Sequence, residues 1–276
     1  MEDIPCSRPA IPSAIKREVR QRCGFGCVIC GMPLYEYEHM EEWAKVRRHV
    51  AEEITLLCDS HHRQRTNKLL PIEKVREADR SPYSVKNGIS SPFDLHYSGD
   101  EVEVRIGGDV YTTNFSNTQK FSAIVIDGLS LLDFSIREGN LFLSLIAFDS
   151  AGACILEIYE NSLEYCISPW DIEFSGTTLT VREAKGSILI SMVFTPPNKI
   201  HITRGVLGYK STKLEIFNDT IVHVGSEARF QFSGSKIRDA IIGISLWGLG
   251  PATDYQASED LIGTAIAREV IDRHRM

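Results

Sequence analysis

Two hydrophobic periodicities divide this chain. Up to about residue 80 the apolar positions recur at helical spacing or gather in short runs between polar turns. Ser13 to Arg22 reads as a helix with Ser13 as its N-cap, Ile15 and Val19 one turn apart, and Gly24 ending the run. Two short strands are expected around the Gly31 to Pro33 loop, the second running through Leu34-Tyr35-Glu36-Tyr37-Glu38-His39. Glu42 to Arg48 predicts a short helix or turn, and Cys58 to Asn67 a helix. Residues 71–92 are polar and punctuated by Ser81-Pro82, Asn87-Gly88 and Ser91-Pro92, which predicts a linker with one helical stretch at Ile72 to Ala78.

From about Phe93 to Gly234 the period changes to two. Glu101 to Ile106, Leu141 to Ile146, Cys154 to Ile158, Thr178 to Val181, Ser187 to Ile190, Lys199 to Ile202 and Lys213 to Ile216 all alternate as half-buried strands do. Turn signals such as Asp127-Gly128, Ser175-Gly176 and Asn218-Asp219 separate them. The pattern fits an antiparallel sandwich, a barrel or a β-solenoid, and no fixed repeat selects among them. The chain closes with an apolar, glycine-rich stretch from Ala240 to Gly250 and an amphipathic helix near Ser258 to Arg273, on which Leu261, Ile262, Ala265, Ile266 and Ile271 share a side.

At 276 residues and 43% hydrophobic, the chain suits two domains. The expected fold class is α+β: a small N-terminal module over residues 1–70, a linker over 71–92, and a larger all-β domain with a terminal helix over 93–276. No stretch approaches the roughly 20 apolar residues of a membrane span. Met1-Glu2-Asp3-Ile4-Pro5 lacks the basic start of a signal peptide. A cytoplasmic protein without membrane contact is therefore expected. Seven cysteines do not make a disulfide framework. Cys23, Cys154 and Cys166 are expected as buried thiols.

Cys27, Cys30 and Cys58 carry the chemistry. Cys27-Val28-Ile29-Cys30 and Cys58-Asp59-Ser60-His61 each hold two soft or borderline ligands two residues apart, the spacing at which a tight turn aims both at one tetrahedral ion. Cys27, Cys30, Cys58 and His61 are thus the expected zinc ligands. A closed set of four leaves no open position for substrate, so this zinc would be structural. His39, behind Glu38, and His62, beside the last ligand, remain as surplus. A zinc knuckle that only braces or binds would need neither. His49 has no partner in this pattern and is expected to face solvent.

The run Cys-x-x-Cys, Glu38-His39, then Ile54 to His62 resembles the HNH, or ββα-metal, endonuclease family in its zinc-stapled form. The resemblance covers about residues 15–70 and departs from the family pattern at His61, which stands where Cys is usual, at Glu38, which stands for Asp, and at Glu53, nine positions before His62, which stands for Asn. It implies a zinc-bound ββα module that hydrolyses phosphodiesters in DNA, with RNA left open. Glu38 and His62 would hold Mg²⁺ or Mn²⁺, and His39 would be the general base, with Glu53 in the remaining motif position. Host defence or restriction is a plausible setting for such a fusion. The alternative is a catalytically silent zinc-knuckle protein that binds or regulates.

Charge places any nucleic-acid surface on the first part of the chain. Residues 1–80 hold 14 Lys or Arg against 13 Asp or Glu, a net of +1, whereas the remainder holds 16 against 24, a net of −8. Arg20 and Arg22 before the zinc pairs, and Arg63, Arg65 and Lys68 after them, are the expected phosphate contacts. The acidic β region shows no clustered ligands. Oligomerisation, a protein partner or control of the nuclease is its expected role.

Overall fold

A computed structural model of the protein describes residues 9–149, 151–164, 170–225 and 229–247. The chain divides into two compact units, Met1–Ser90 and Ser91–Met276.

The first unit is built from short helices around a two-stranded sheet. Helix α1 (Ser13–Cys23) starts without the expected Ser13 cap. Pro12 holds the N-cap position instead, its ring fixing φ at −55°, and its carbonyl accepts from Lys16 N. Gly24 ends the helix in the left-handed region at φ 69°. Strand β1 (Glu36–His39) is followed by α2 (Trp43–Val46), a one-turn 3-10 segment at Ala51–Glu53, β2 (Ile54–Leu57) and α3 (Asp59–Thr66). The strands pair antiparallel, Glu36 opposite Leu57 and His39 opposite Ile54. The partner of β1 therefore comes from the far side of α2. The residues before Gly31 form a turn in place of the expected strand, and only the Val28 N–H joins the sheet region, donating to the Leu56 carbonyl at 3.0 Å.

The expected linker is folded. Residues Ile72–Arg80 form α4 and Tyr83–Asn87 form α5. Val75 is fully buried in the same core as Val19, Cys23, Val28, Ile54, Leu56 and Leu57, with Leu70, Ile72 and Ala78 packed at its edge. Apolar residues at helical spacing outweigh the polar composition that suggested a linker. Arg22 ties α1 to this layer: it pairs with Asp79 and donates to the carbonyls of Ala51 at 3.1 Å and Ile54 at 2.5 Å.

The second unit contains two large sheets. One is a meander of consecutive antiparallel strands from Phe121–Ile126 to Ser162–Glu164, with Ile242–Leu246 added in parallel beside its first strand. The other runs as a meander from Asp171–Ser175 to Arg229–Phe232, and Glu101–Ile106 lies parallel to Lys199–Tyr209 within it. Phe121, Phe134 and Leu141 from the first sheet and Phe194, Ile202 and Leu214 from the second are almost fully buried. Successive antiparallel pairing is not the parallel stacking of a β-solenoid, and neither meander closes into a barrel among the described residues. The chain is thus mixed α+β and mostly β. The terminal helix expected near Ser258 to Arg273 and Cys166 lie outside the described residues. Among the described residues no helix is long and apolar enough to cross a membrane.

Replacing Val75 by Ala removes two buried methyl groups from the first unit and should cost about 2 kcal/mol, read from denaturant unfolding of that unit. A change within about 0.5 kcal/mol would return residues 72–80 to the role of a linker.

Candidate metal centre

Cys27, Cys30, Cys58 and His61 place one ligand atom each within 4.8 Å of one another, and they could bind a metal ion such as zinc. The first pair sits in a turn closed by Gly31 N donating to the Cys27 carbonyl at 2.7 Å and Cys27 N donating to the Met32 carbonyl at 2.9 Å. Gly31 adopts φ +75°, and a Cβ there would meet the Tyr83 ring at 2.5 Å, so both conformation and space call for glycine. The second pair sits at the start of α3, where Cys58 is the N-cap and His61 lies within the first turn.

The dimensions suit zinc. Metal–sulfur bonds near 2.3 Å and metal–nitrogen bonds near 2.0 Å place tetrahedral ligands about 3.8 Å apart for two sulfurs and about 3.5 Å for sulfur and nitrogen. The Sγ atoms of Cys30 and Cys58 are 3.8 Å apart, and His61 Nδ1 lies 3.4 Å from Cys27 Sγ and 3.2 Å from Cys58 Sγ. The Cys30 thiol donates to the Cys27 sulfur and lowers the Cys27 pKa to about 5, while Cys30 is raised in return. Cys23, four residues upstream, is not part of this set. It is fully buried, its Sγ lies 3.8 Å from Thr55 Oγ1, and burial pushes its thiol up to about 12.

His62 points elsewhere because one residue along an α-helix is a rotation of about 100°. Its Nε2 lies 3.2 Å from Glu38 Oε2 and its Nδ1 3.1 Å from Glu36 Oε2. Glu36 and Glu38 share a face of β1, since successive strand side chains alternate. Arg65, one turn after His62, reaches Glu38 Oε1 at 3.7 Å. Glu36 was missed by sequence reasoning. Its two-residue spacing from Glu38 within a strand was the available signal.

His39 lies on the opposite face of β1 and is buried. Its Nε2 is 3.1 Å from His49 Nδ1, and His49 stacks on Trp43 with ring centroids 4.7 Å apart. His49 is therefore half-buried and hydrogen-bonded, contrary to the solvent-facing residue expected. Nothing in its sequence neighbourhood signals this, because the contacts arise where the chain doubles back after α2. Glu53 forms an ion pair with Arg48, whose guanidinium holds the carboxyl below the usual carboxylate range, with a smaller contribution from His39.

Two of the five expected phosphate-binding cations are withdrawn. Arg20 is 3% exposed and donates through Nη1 to the Tyr37 hydroxyl at 2.7 Å. Arg22 is held by Asp79 and two backbone carbonyls. Both charges are spent on internal bonds because α1 packs on the sheet. Arg63 and Lys68 are exposed, and Arg65 is half-buried beside Glu38. In the second unit His201 and His223 lie in strands, and burial lowers the His201 pKa.

Compared with known proteins, the chain matches no family model, no curated protein and no solved structure.

Protein purified without added metal should contain close to one zinc per chain by elemental analysis. Cys58→Ala should release it and lower the unfolding temperature of the first unit, because binding and folding are coupled at such sites. Well-folded protein without zinc would contradict the assignment.

Proposed function

We propose that residues 1–90 form a metal-dependent endonuclease of the HNH type that hydrolyses phosphodiester bonds in DNA. One observation carries the reading: Glu38 and His62, 24 positions apart in sequence, meet at 3.2 Å beside the Cys27, Cys30, Cys58 and His61 set. The order β1, β2, α3 supports a ββα-metal arrangement, with zinc bracing the turn before β1 against the start of α3. A zinc held by four protein ligands is structural.

A carboxylate oxygen and an imidazole nitrogen suit Mg²⁺ or Mn²⁺, which keep water in their other positions. Such an ion would supply positive charge for the scissile phosphate and the leaving oxygen. Glu38 and His62 Nε2 would hold it, with Glu36 accepting from Nδ1 and fixing the ring. His39 would take the proton from the attacking water, the role an imidazole most often fills in such chemistry. Arg63 and Lys68 would hold strand phosphates without reading sequence, and Arg65 would steady Glu38. The acidic second unit would serve assembly, a protein partner or control of cleavage, since residues 91–276 hold 15 Lys or Arg against 24 Asp or Glu, a net of −9 that repels a polyanion.

A second reading has one observation in its favour. Glu53, in the position where the resembled family has Asn, is engaged by Arg48. In that case the zinc knuckle braces a binding surface and cuts nothing.

Plasmid incubated with the protein and Mg²⁺ or Mn²⁺ should be nicked or linearised, with an RNA substrate run in parallel. His39→Ala should slow cutting about a hundredfold or more while zinc content and unfolding stay as in the wild type. His62→Ala should also lose activity, and should need more of the divalent ion for whatever remains. Wild-type protein that cuts neither substrate with either ion would favour the silent zinc knuckle.

A further inference from the structure

The first sheet of the second unit carries an open groove of about 720 Å³ that neither the metal centre nor the nuclease reading uses. Ligand sites span roughly 300–1,000 Å³, so the groove is of a size to hold one. It runs over the strands Leu129–Arg137, Asn140–Phe148 and Cys154–Tyr159, with Phe115, Gln119 and Lys120 contributed by the preceding loop. Strand alternation sets its lining. Asp133 pairs across from Ser144 and Ser135 from Phe142, so these four side chains share a face. Leu131 and Ile146 are buried at its floor, and Tyr159 is 36% exposed.

Charge and hydrogen bonding select the ligand. Lys120 pairs with Asp133 at 3.4 Å and Arg137 with Glu160 at 2.8 Å, and the Arg137 guanidinium also lies over the Phe142 ring at 4.0 Å. Both lining cations are thus engaged by carboxylates, and Asp133, Glu157 and Glu160 outnumber them. A phosphate or nucleotide would meet that negative excess. The neutral groups are differently placed. Among the described residues, the Ser135 and Tyr159 hydroxyls and the Gln119 amide have no partner within the protein. Ser144 Oγ accepts from Glu160 N at 3.2 Å, which leaves its own hydrogen to donate. Asp133 accepts from Ser130 and Lys120, and a carboxylate has room for further donors. Hydroxyl donors and acceptors therefore stand beside the apolar surfaces of Tyr159, Leu131 and Ile146. That mixture matches an uncharged molecule with C–H faces and a rim of hydroxyls, and a concavity of this size suits such a ligand better than a protein surface. We propose that the groove binds a neutral oligosaccharide, with a sugar ring against Tyr159 and its hydroxyls against Ser135, Ser144 and Asp133. A site that hydrogen-bonds ligand hydroxyls discriminates strongly, because its polar groups would otherwise be covered without partners. This role is independent of the nuclease reading.

Isothermal titration calorimetry of the full chain tests the proposal, with maltohexaose, cellohexaose, laminarihexaose and N-acetylchitohexaose as probes and ADP and spermine as charged comparators. At least one of the oligosaccharides should bind with a Kd of about 1 mM or tighter, and the two charged molecules should bind more weakly than it does. Tyr159→Ala should weaken that binding about tenfold or more, and Tyr159→Phe, which keeps the ring, about threefold or less. Ser144→Ala should cost about threefold or more through the lost hydroxyl. The unfolding temperature of Tyr159→Ala should stay near that of the wild type, since the side chain is exposed and has no partner to lose. Unchanged sugar affinity in Tyr159→Ala would overturn the site. Failure of all the oligosaccharides to bind, or tighter binding of ADP or spermine that is lost in Tyr159→Ala, would overturn the ligand class.

Discussion

Cys27 and Cys30 lie in a turn before β1, and Cys58 and His61 lie at the start of α3, so one ion bound by all four ties the two ends of the hairpin region together. Such a tie would reinforce the first unit. Its core is small, centred on Val19, Val28, Ile54, Leu56, Leu57 and Val75, and a domain of this size gains little margin from burial alone. Sulfur and imidazole ligands also solve a packing problem: Cys27 and Cys58 are buried among apolar neighbours, and a bound cation compensates thiolates that would be costly there alone.

The same geometry orients the neighbouring side chains. Once His61 is turned toward the sulfurs, helical geometry turns His62 toward β1, where Glu36 and Glu38 wait on one face of the strand. The other face of β1 carries His39 to His49 and Trp43. Strand alternation thus gives two neighbouring residues, Glu38 and His39, different surroundings: one an ion-pairing group beside Arg65, the other an imidazole within a ring cluster. A carboxylate suited to a divalent ion and an imidazole suited to moving a proton follow from one dipeptide. Arg20 and Arg22 lie beneath this arrangement as internal donors, which leaves Arg63 and Lys68 as the exposed cations near α3.

What could be read from the sequence followed from local spacing. The metal set was legible because both ligand pairs are local and their gap of two residues has a geometric meaning. Seven strands of the second unit were legible because alternation survives where a sheet has one buried face, as in Glu101–Ile106, whereas Phe121–Ile126, buried on both faces, shows none. The order of those strands was not, since the parallel pairing of Glu101–Ile106 with Lys199–Tyr209 spans about a hundred residues and leaves no local trace. The linker was misread because Ser81-Pro82 and Asn87-Gly88 are equally at home at the ends of α4 and α5, and the burial of Val75 is decided by α1 and β2. The contacts of His49 left no local trace, because tertiary structure brings His39 and Trp43 to it, whereas Glu36 carried a signal in its two-residue spacing from Glu38.

Zinc K-edge absorption of the purified full chain tests the closed four-ligand site most directly. Three sulfurs near 2.3 Å and one nitrogen near 2.0 Å, unchanged by His62→Ala, are the expected first coordination sphere. A coordinated water, fewer than three sulfurs, or a sphere altered by His62→Ala would contradict a structural zinc set apart from His62.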